Sequence, residues 1–258
     1  MTESAEPRLD RRVREYWNHR IHDLEMTAQP VGSREFFDEL DDYRFDKLAY
    51  LPRIVDFNGY SGRRVVEVGC GIGTDLVRFA RGGAKVVGVD LSETAVQLAR
   101  ANLDTHGVRG SVMVGDGARL PLPNDSTDVL YAHGVLQYSA NPLAIVTEAH
   151  RVLRPGGIAI FMVYNRVSWL MALSRVMKVD LEHADAPGLR LYSIREFRQL
   201  IDGFRQAAII PERFPVKSRL HHGWKAAVYN GVFVGLFNAL PRALVRPFGW
   251  HLMAICSK

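Results

Sequence analysis

Three alternating glycines, Gly69, Gly71 and Gly73, follow the β-branched run 65–68 and lead into a helical pattern that starts at Thr74. Glycine lacks the Cβ that would hold a ligand off the backbone, and a helix start offers unpaired N–H groups and a positive dipole end. A small, partly anionic ligand is expected there. Further along, Asp90 closes the apolar run 85–90, Asp116 lies between Gly115 and Gly117, and His133 follows the run 127–132. Like Glu67, each sits at or just past the end of a predicted strand, and the carboxyl ends of strands in an open parallel sheet border one crevice. Carboxylates, an imidazole that titrates near neutrality and bare backbone should therefore surround one ligand.

Two nucleotide-binding motifs do not fit. The dinucleotide fingerprint G-x-G-x-x-G would need its third glycine at Thr74 or Leu76, and no lysine follows as a phosphate-cradling P-loop requires. What stands is Glu67 followed by Gly69, Gly71 and Gly73, with Asp90 ending the next strand. This resembles the class I S-adenosylmethionine-dependent methyltransferases, whose first strand ends in E/D-x-G-x-G-x-G and whose second ends in an acid. The segments 128–138 and 153–157 (Leu-Arg-Pro-Gly-Gly) continue the resemblance, which covers residues 62–164. The resemblance implies S-adenosyl-L-methionine as cofactor, bound by Glu67, Gly69, Cys70, Gly71, Gly73, Asp90, Leu91, Asp116, Gly117, Ala118 and His133, with Tyr16 in a lid. It implies Asp90 on the ribose diol, and Asp116 with the backbone beyond it on adenine. Glu67 would face the methionine ammonium, directly or through water.

On the acceptor side, family members that methylate adenine or glutamine carry D/N-P-P-Y after the fourth strand. Here that place reads Ala132-His133-Gly134-Val135, which disfavours those substrates. Metal-dependent catechol-type members place an aspartate there, so with His133 instead no catalytic metal is expected. Displacement at a sulfonium methyl chiefly needs alignment and exclusion of water, worth up to ~7–11 kcal/mol. His133 is the candidate base for an acceptor that must lose a proton; it can equally contact the cofactor or order its loop. Trp17, Tyr138, Tyr164, Asn165, His183, Tyr192, His221 and Trp224 are candidates for the acceptor pocket, with packing the alternative for aromatics at helical spacing.

The elements that must position these residues follow from periodicity. Helices are predicted over 8–26 and from Ser33 onward, then strand 65–69, helix 74–82, strand 85–90, a helix capped by Ser92 to His106, strand 112–114, strand 127–132, helix 142–153 and strand 158–164. Beyond come an apolar helical patch at 167–179, a helix at 193–204, a strand at 207–214, a helix at 226–240 and a last strand at 251–257. The fold class expected is α/β: a Rossmann-like, seven-stranded, mostly parallel sheet with helices on both faces, the last strand antiparallel, plus a helical cap. One domain is expected, with a cap at 1–60, a cofactor-binding core at 61–164 and acceptor-side insertions and final strands at 165–258.

A formal net charge of +5 is mild for 258 residues and requires no acidic partner. The acceptor-side segments are apolar and aromatic without dense Arg/Lys interleaving, so no nucleic acid is expected. With Cys70 and Cys256 the only cysteines, neither a disulfide framework nor a cysteine-based zinc site is expected, and a reducing cytoplasm is the simplest compartment. Residues 1–7 lack the pattern of a secretory signal. The uncharged run 226–241 is interrupted by Asn230 and Asn238 and falls short of the ~20 apolar residues of a spanning helix. Its stripe of Tyr229, Phe233, Leu236, Phe237 and Leu240 suits a membrane surface, an apolar acceptor or burial. The function expected is methyl transfer to an O, N or C atom of a small, apolar or aromatic molecule. The core also looks like that of the ubiquinone/menaquinone and sterol methyltransferases, so a quinone or lipid methyltransferase at a membrane surface is one alternative; a non-catalytic cofactor-binding protein is another.

Overall fold

Runs of valine and isoleucine too apolar to face water on either side demand a sheet covered twice, and the chain builds one. The computed structural model describes residues 5–20, 23–178, 181, 183–216 and 224–258. Strands β1 (Arg64–Val68), β2 (Lys85–Asp90), β3 (Gly110–Val114), β4 (Thr127–His133) and β5 (Leu153–Tyr164) pair in parallel. β6 (Arg205–Glu212) forms an edge, and β7 (His251–Ser257) runs antiparallel between it and β5. The sheet order is β3-β2-β1-β4-β5-β7-β6. Six strands share one direction and β7 alone opposes them, as expected from sequence.

Side chains alternate across a strand, so residue parity decides which face each one serves. Val65, Val129, Tyr131, Ile160, Met162, Tyr164 and Met253 pack on one face under α3 (Leu51–Ile54), α4 (Thr74–Arg81) and α5 (Glu93–Thr105). Val66, Val68, Leu130, Ala159, Phe161 and Leu252 pack on the other under α6 (Pro142–Val152) and α8 (Ile194–Leu200). Before the sheet come α1 (Ala5–His19) and α2 (Arg34–Lys47); α7 (Trp169–Met177) follows β5. Ser33 and Ser92 cap α2 and α5 through the N–H groups of Phe36 and Ala95, both at 3.1 Å. Phe36, Phe37 and Leu40 of α2 form a small core of their own with Ile72 and Leu98, which seats that helix beside the glycine turn.

Four local expectations change. The first helix stops at His19 rather than near Met26, with the His19 ring on the Glu15 carbonyl. The short α3 was not predicted; its four residues are too few for a periodic signal. β5 starts at Leu153, not 158, because Thr127 pairs with Leu153 and Val129 with Ile158, so the Arg-Pro-Gly-Gly turn bulges out within the strand. The helix predicted at 226–240 runs as α9 (Trp224–Val228), a π-turn (Tyr229–Phe233) and α10 (Val234–Ala239), followed by α11 (Arg242–Val245).

Candidate active site

The turn after β1 is held open by left-handed backbone geometry that favours glycine. Gly69, Gly71 and Gly73 have φ of 68°, 52° and 79°. A Cβ on Gly73 would lie 3.1 Å from that of Ala99, so this glycine serves the contact between α4 and α5. A Cβ on Gly71 would point into open space, where it would meet a ligand instead. The turn is stitched to β2: Gly69 donates its N–H to the Val89 carbonyl at 2.7 Å, and Gly71 donates to Asp90 Oδ2 at 2.9 Å. Asp90 Oδ1 accepts from the Ser92 N–H at 2.9 Å. Burial raises the Asp90 carboxyl above its usual value against the pull of these N–H groups. Past β3, Asp116 Oδ1 accepts from the Ala118 N–H at 2.8 Å, a tight turn that presents Asp116 to the same crevice.

Register brings the second half of the site together. Glu67 pairs with Tyr131, His133 with Met162 and Tyr164 with His251, so matching parity puts all six side chains on one face of the sheet. Over them, Arg44 of α2 donates from Nε and Nη2 to the two oxygens of Asp75 at 2.8 and 2.5 Å, and Tyr131 donates its hydroxyl to the same carboxylate at 2.8 Å. Burial pushes Asp75 up, yet the Arg44 charge and its hydrogen bonds prevail and hold the carboxyl below its usual value. The His133 ring lies 3.4 Å from Arg44 Nη2 on one side and 3.4 Å from the Tyr50 hydroxyl on the other. Tyr50 reaches His251 Nδ1 at 2.5 Å, and Arg213 lies 3.0 Å from His251 Nε2. Burial, with Arg213 next to it, drives His251 well below the usual imidazole value, so it stays neutral. Glu67 differs from its neighbours. Its Oε2 is buried and lacks a partner, and burial raises its carboxyl well above the ordinary range, helped by Asp75 and Asp90.

Arg44, Asp75 and Arg213 join these residues in lining one continuous cavity of about 230 Å³ that runs from Asp90 and Asp116 past Glu67 to His133, Tyr164 and His251, with Tyr50 and Tyr131 behind its wall. Residues 66–161 match a family model described as a methyltransferase domain. A probable S-adenosylmethionine-dependent methyltransferase of Mycolicibacterium smegmatis is 35% identical over 109 residues, 42% of this chain and 41% of that protein. A ubiquinone biosynthesis O-methyltransferase of Alkalilimnicola ehrlichii is 28% identical over 178 residues, 66% of this chain and 69% of its own length. Residues 66–161 thus carry a methyltransferase domain, similar to that of the class I S-adenosylmethionine-dependent methyltransferases. The magnesium protoporphyrin IX methyltransferase of Synechocystis PCC 6803, solved with bound SAH, shares the fold at a TM-score of 0.62 with 15% identity, covering 95% of this chain and 98% of that one. The first of the two relatives is matched over less than half its length, so the resemblance is firmest for the cofactor half of the methyltransferase.

The family's cofactor fits what the residues present. A ligand ammonium would answer the partnerless Glu67 oxygen, and the open space above Gly71 would admit a ligand against the backbone. Gly69, Cys70, Gly71, Leu91, Asp116, Gly117 and His133 line the cavity along with Glu67 and Asp90. Burial raises the Cys70 thiol well above its usual value, so it acts as an inert wall. Gly73 and Ala118 stand behind the lining and shape the turns. Tyr16 also lies outside it: its hydroxyl donates to Asp185 at 3.0 Å beside His183, latching α1 onto the segment 183–185. Of the pocket candidates, Trp17, Tyr138, Tyr164 and His183 line the cavity, with Trp17 packed edge-on against Tyr138 at 5.4 Å and His183 at 5.0 Å.

Three candidates do not reach it. Asn165 is buried and spends its amide on the carbonyls of Val167, Pro247 and Gly249 at 3.0, 2.9 and 2.8 Å, which fastens two chain segments. Tyr192 packs in the core on the opposite face of the sheet, with its hydroxyl on the Leu136 carbonyl. Trp224 is an exposed residue at a separate apolar hollow between α7 and α9. His221 lies outside the described residues. Sequence reasoning missed Arg44, Tyr50, Asp75, Arg213 and His251. Asp75 follows the glycine turn directly and stands four residues before Phe79, so an acid on the apolar face of its helix was the one available signal.

Proposed function

We propose that this chain transfers the methyl group of S-adenosylmethionine to an O, N or C atom of a small, apolar or aromatic molecule by in-line displacement. The observation that carries the reading is the continuity of the cavity. Its polar end holds Asp90, Asp116 and Glu67, and its other end combines the walls of Val13, Trp17, Leu48, Tyr138, Met162 and Tyr164 with the side chains of Arg44, His133, Arg213 and His251. When bound, the cofactor supplies an electrophilic methyl group on a sulfonium. Asp90 and the Gly71 turn grip the ribose end, Asp116 the base, and Glu67 the ammonium. The aromatic walls orient a flat acceptor, while α1, latched through Tyr16 and Asp185, keeps water out. His133, at the junction of the two halves, is placed to take a proton from an acceptor hydroxyl or amine. The test is incubation with methyl-labelled cofactor and a panel of quinols, phenols and amines, followed by fractionated extract. Tight cofactor binding with no label transferred to any of these would favour a non-catalytic binding protein.

Replacing His133 with alanine is expected to lower kcat by roughly 10²-fold or more while leaving the cofactor Kd little changed, as a general base requires. An equal loss in both would assign His133 to cofactor contact. Glu67 gives a pH signature. Its carboxyl is protonated up to a raised value in the cofactor-free protein, and an ammonium partner favours the ionised form. Cofactor affinity should therefore rise as pH climbs from the ordinary carboxyl value through the raised one, with proton release on binding below that point. Calorimetry in buffers of different ionisation enthalpy reads that release, and Glu67→Gln should abolish it. Affinity independent of pH would separate Glu67 from the ammonium.

A further inference from the structure

Beyond the cavity, the segment from Trp224 to Leu244 exposes an apolar ridge. Trp224, Val228, Val232, Leu236, Leu240 and Leu244 recur every fourth residue and are all exposed, Trp224 at 73% and Leu236 at 67%. In a plain α-helix a four-residue spacing overshoots the turn of 3.6, and such a stripe would wind around the helix. The π-turn at Tyr229–Phe233, whose hydrogen bonds span one residue more, takes up part of that drift from Trp224 to Leu236; Leu240 then ends the helix in extended backbone, and Leu244 continues the exposed row from α11. The opposite side is anchored. Tyr229, Phe233 and Phe237 surround the Trp169 ring, and the Tyr229 hydroxyl and Asn238 amide donate to the carbonyls of Val216 and Pro215. Those carbonyls lie just beyond Arg213, which lines the cavity. The ridge is thus fixed beside the acceptor end of the site.

Charge selects what covers it. From Arg213 to Lys258 the sequence contains no aspartate or glutamate, while exposed Arg246 lies two residues beyond Leu244 and Lys178 borders the hollow beside Trp224. A two-fold contact between copies would bring this face against itself and set like charges together. Among the described residues no helix is long and apolar enough to cross a membrane, so a spanning role is not offered by this ridge. We propose that the ridge docks on an anionic lipid bilayer, with the apolar row entering the interface and the basic side chains meeting the headgroups. Apolar area plus basic residues is the combination that holds an interfacial helix, and tryptophan prefers the headgroup level.

The docking stands independently of methyl transfer, so its test uses no acceptor. The full chain is sedimented with phosphatidylcholine vesicles containing or lacking phosphatidylglycerol. Binding is expected to the anionic vesicles, to fade at high salt, and to weaken roughly tenfold or more in Leu236→Ser, Leu244→Ser and Arg246→Glu. These residues are exposed, so thermal unfolding and S-adenosylmethionine binding should match the parent. Sedimentation that does not depend on anionic lipid would overturn the proposal, as would anionic-vesicle binding insensitive to all three substitutions. A dimer dissolved by Leu236→Ser in a chain that ignores vesicles would assign the ridge to a second copy instead.

Discussion

Replacing Asp90 with alanine is expected to weaken S-adenosylmethionine binding by about 2–4 kcal/mol, roughly 30- to 1,000-fold in Kd. Two losses combine. A ribose diol would lose a charged acceptor, and the glycine turn would lose the carboxylate that receives the N–H groups of Gly71 and Ser92, both at 2.9 Å. Those donors would then be left without a partner in a partly buried turn, so the turn itself should loosen. Asp90→Asn separates the contributions, since its remaining carbonyl oxygen can still accept one N–H at similar volume, and its deficit should be the smaller. Titration calorimetry measures both, with thermal unfolding as the check on the fold. Unchanged affinity in Asp90→Ala would remove the residue from the site.

The largest effect on stability is expected from Arg44→Met. Asp75 is 2% exposed, and its two oxygens are taken by Arg44 and Tyr131. Removing the guanidinium leaves a buried carboxylate with a single neutral donor, a change that typically costs about 3–5 kcal/mol. The pH dependence has a definite sign. In the parent, Asp75 is held below its usual value, so its contribution is full above the unfolded-state value and is lost as pH falls through the folded one. In Arg44→Met, burial is opposed only by His133 and the Tyr131 hydrogen bond and should raise the Asp75 value, so the deficit should narrow as the medium becomes acidic enough to protonate it. Urea unfolding at neutral and mildly acidic pH measures this. The double substitution Arg44→Met with Asp75→Asn should recover much of the loss, because the stranded charge is gone. A deficit below about 1 kcal/mol, typical of exposed pairs, would show that the pair does not hold α2 over the sheet.

What could be read from the chain beforehand was whatever is local. The glycine turn, Asp90 and Asp116 stand next to the strands that carry them, and strands of valine and isoleucine announce themselves by composition. The strand that closes the sheet was likewise bounded at 251–257. The acceptor half was less legible because it is assembled across long separations. Arg44 meets Asp75 from 31 positions away, and Tyr50 meets His251 from 201 away, so no spacing rule connects them. Nor does residue type reveal direction. Asn165 and Tyr164 are neighbours at the end of β5, yet one lines the cavity and the other fastens loops. Trp224 and Trp17 are both aromatics on helices, and only packing assigned the first to the surface and the second to the cavity wall.

The position of β7 between β5 and β6 has a consequence for how the protein is made. During synthesis β6 emerges long before its only neighbour in the sheet, and it must wait unpaired until residues 251–257 leave the ribosome. His251 and the Trp250 ring, both of which stack on Tyr164, arrive with that same strand. The His251 side of the cavity is therefore completed only when β7 slides into the gap between β5 and β6.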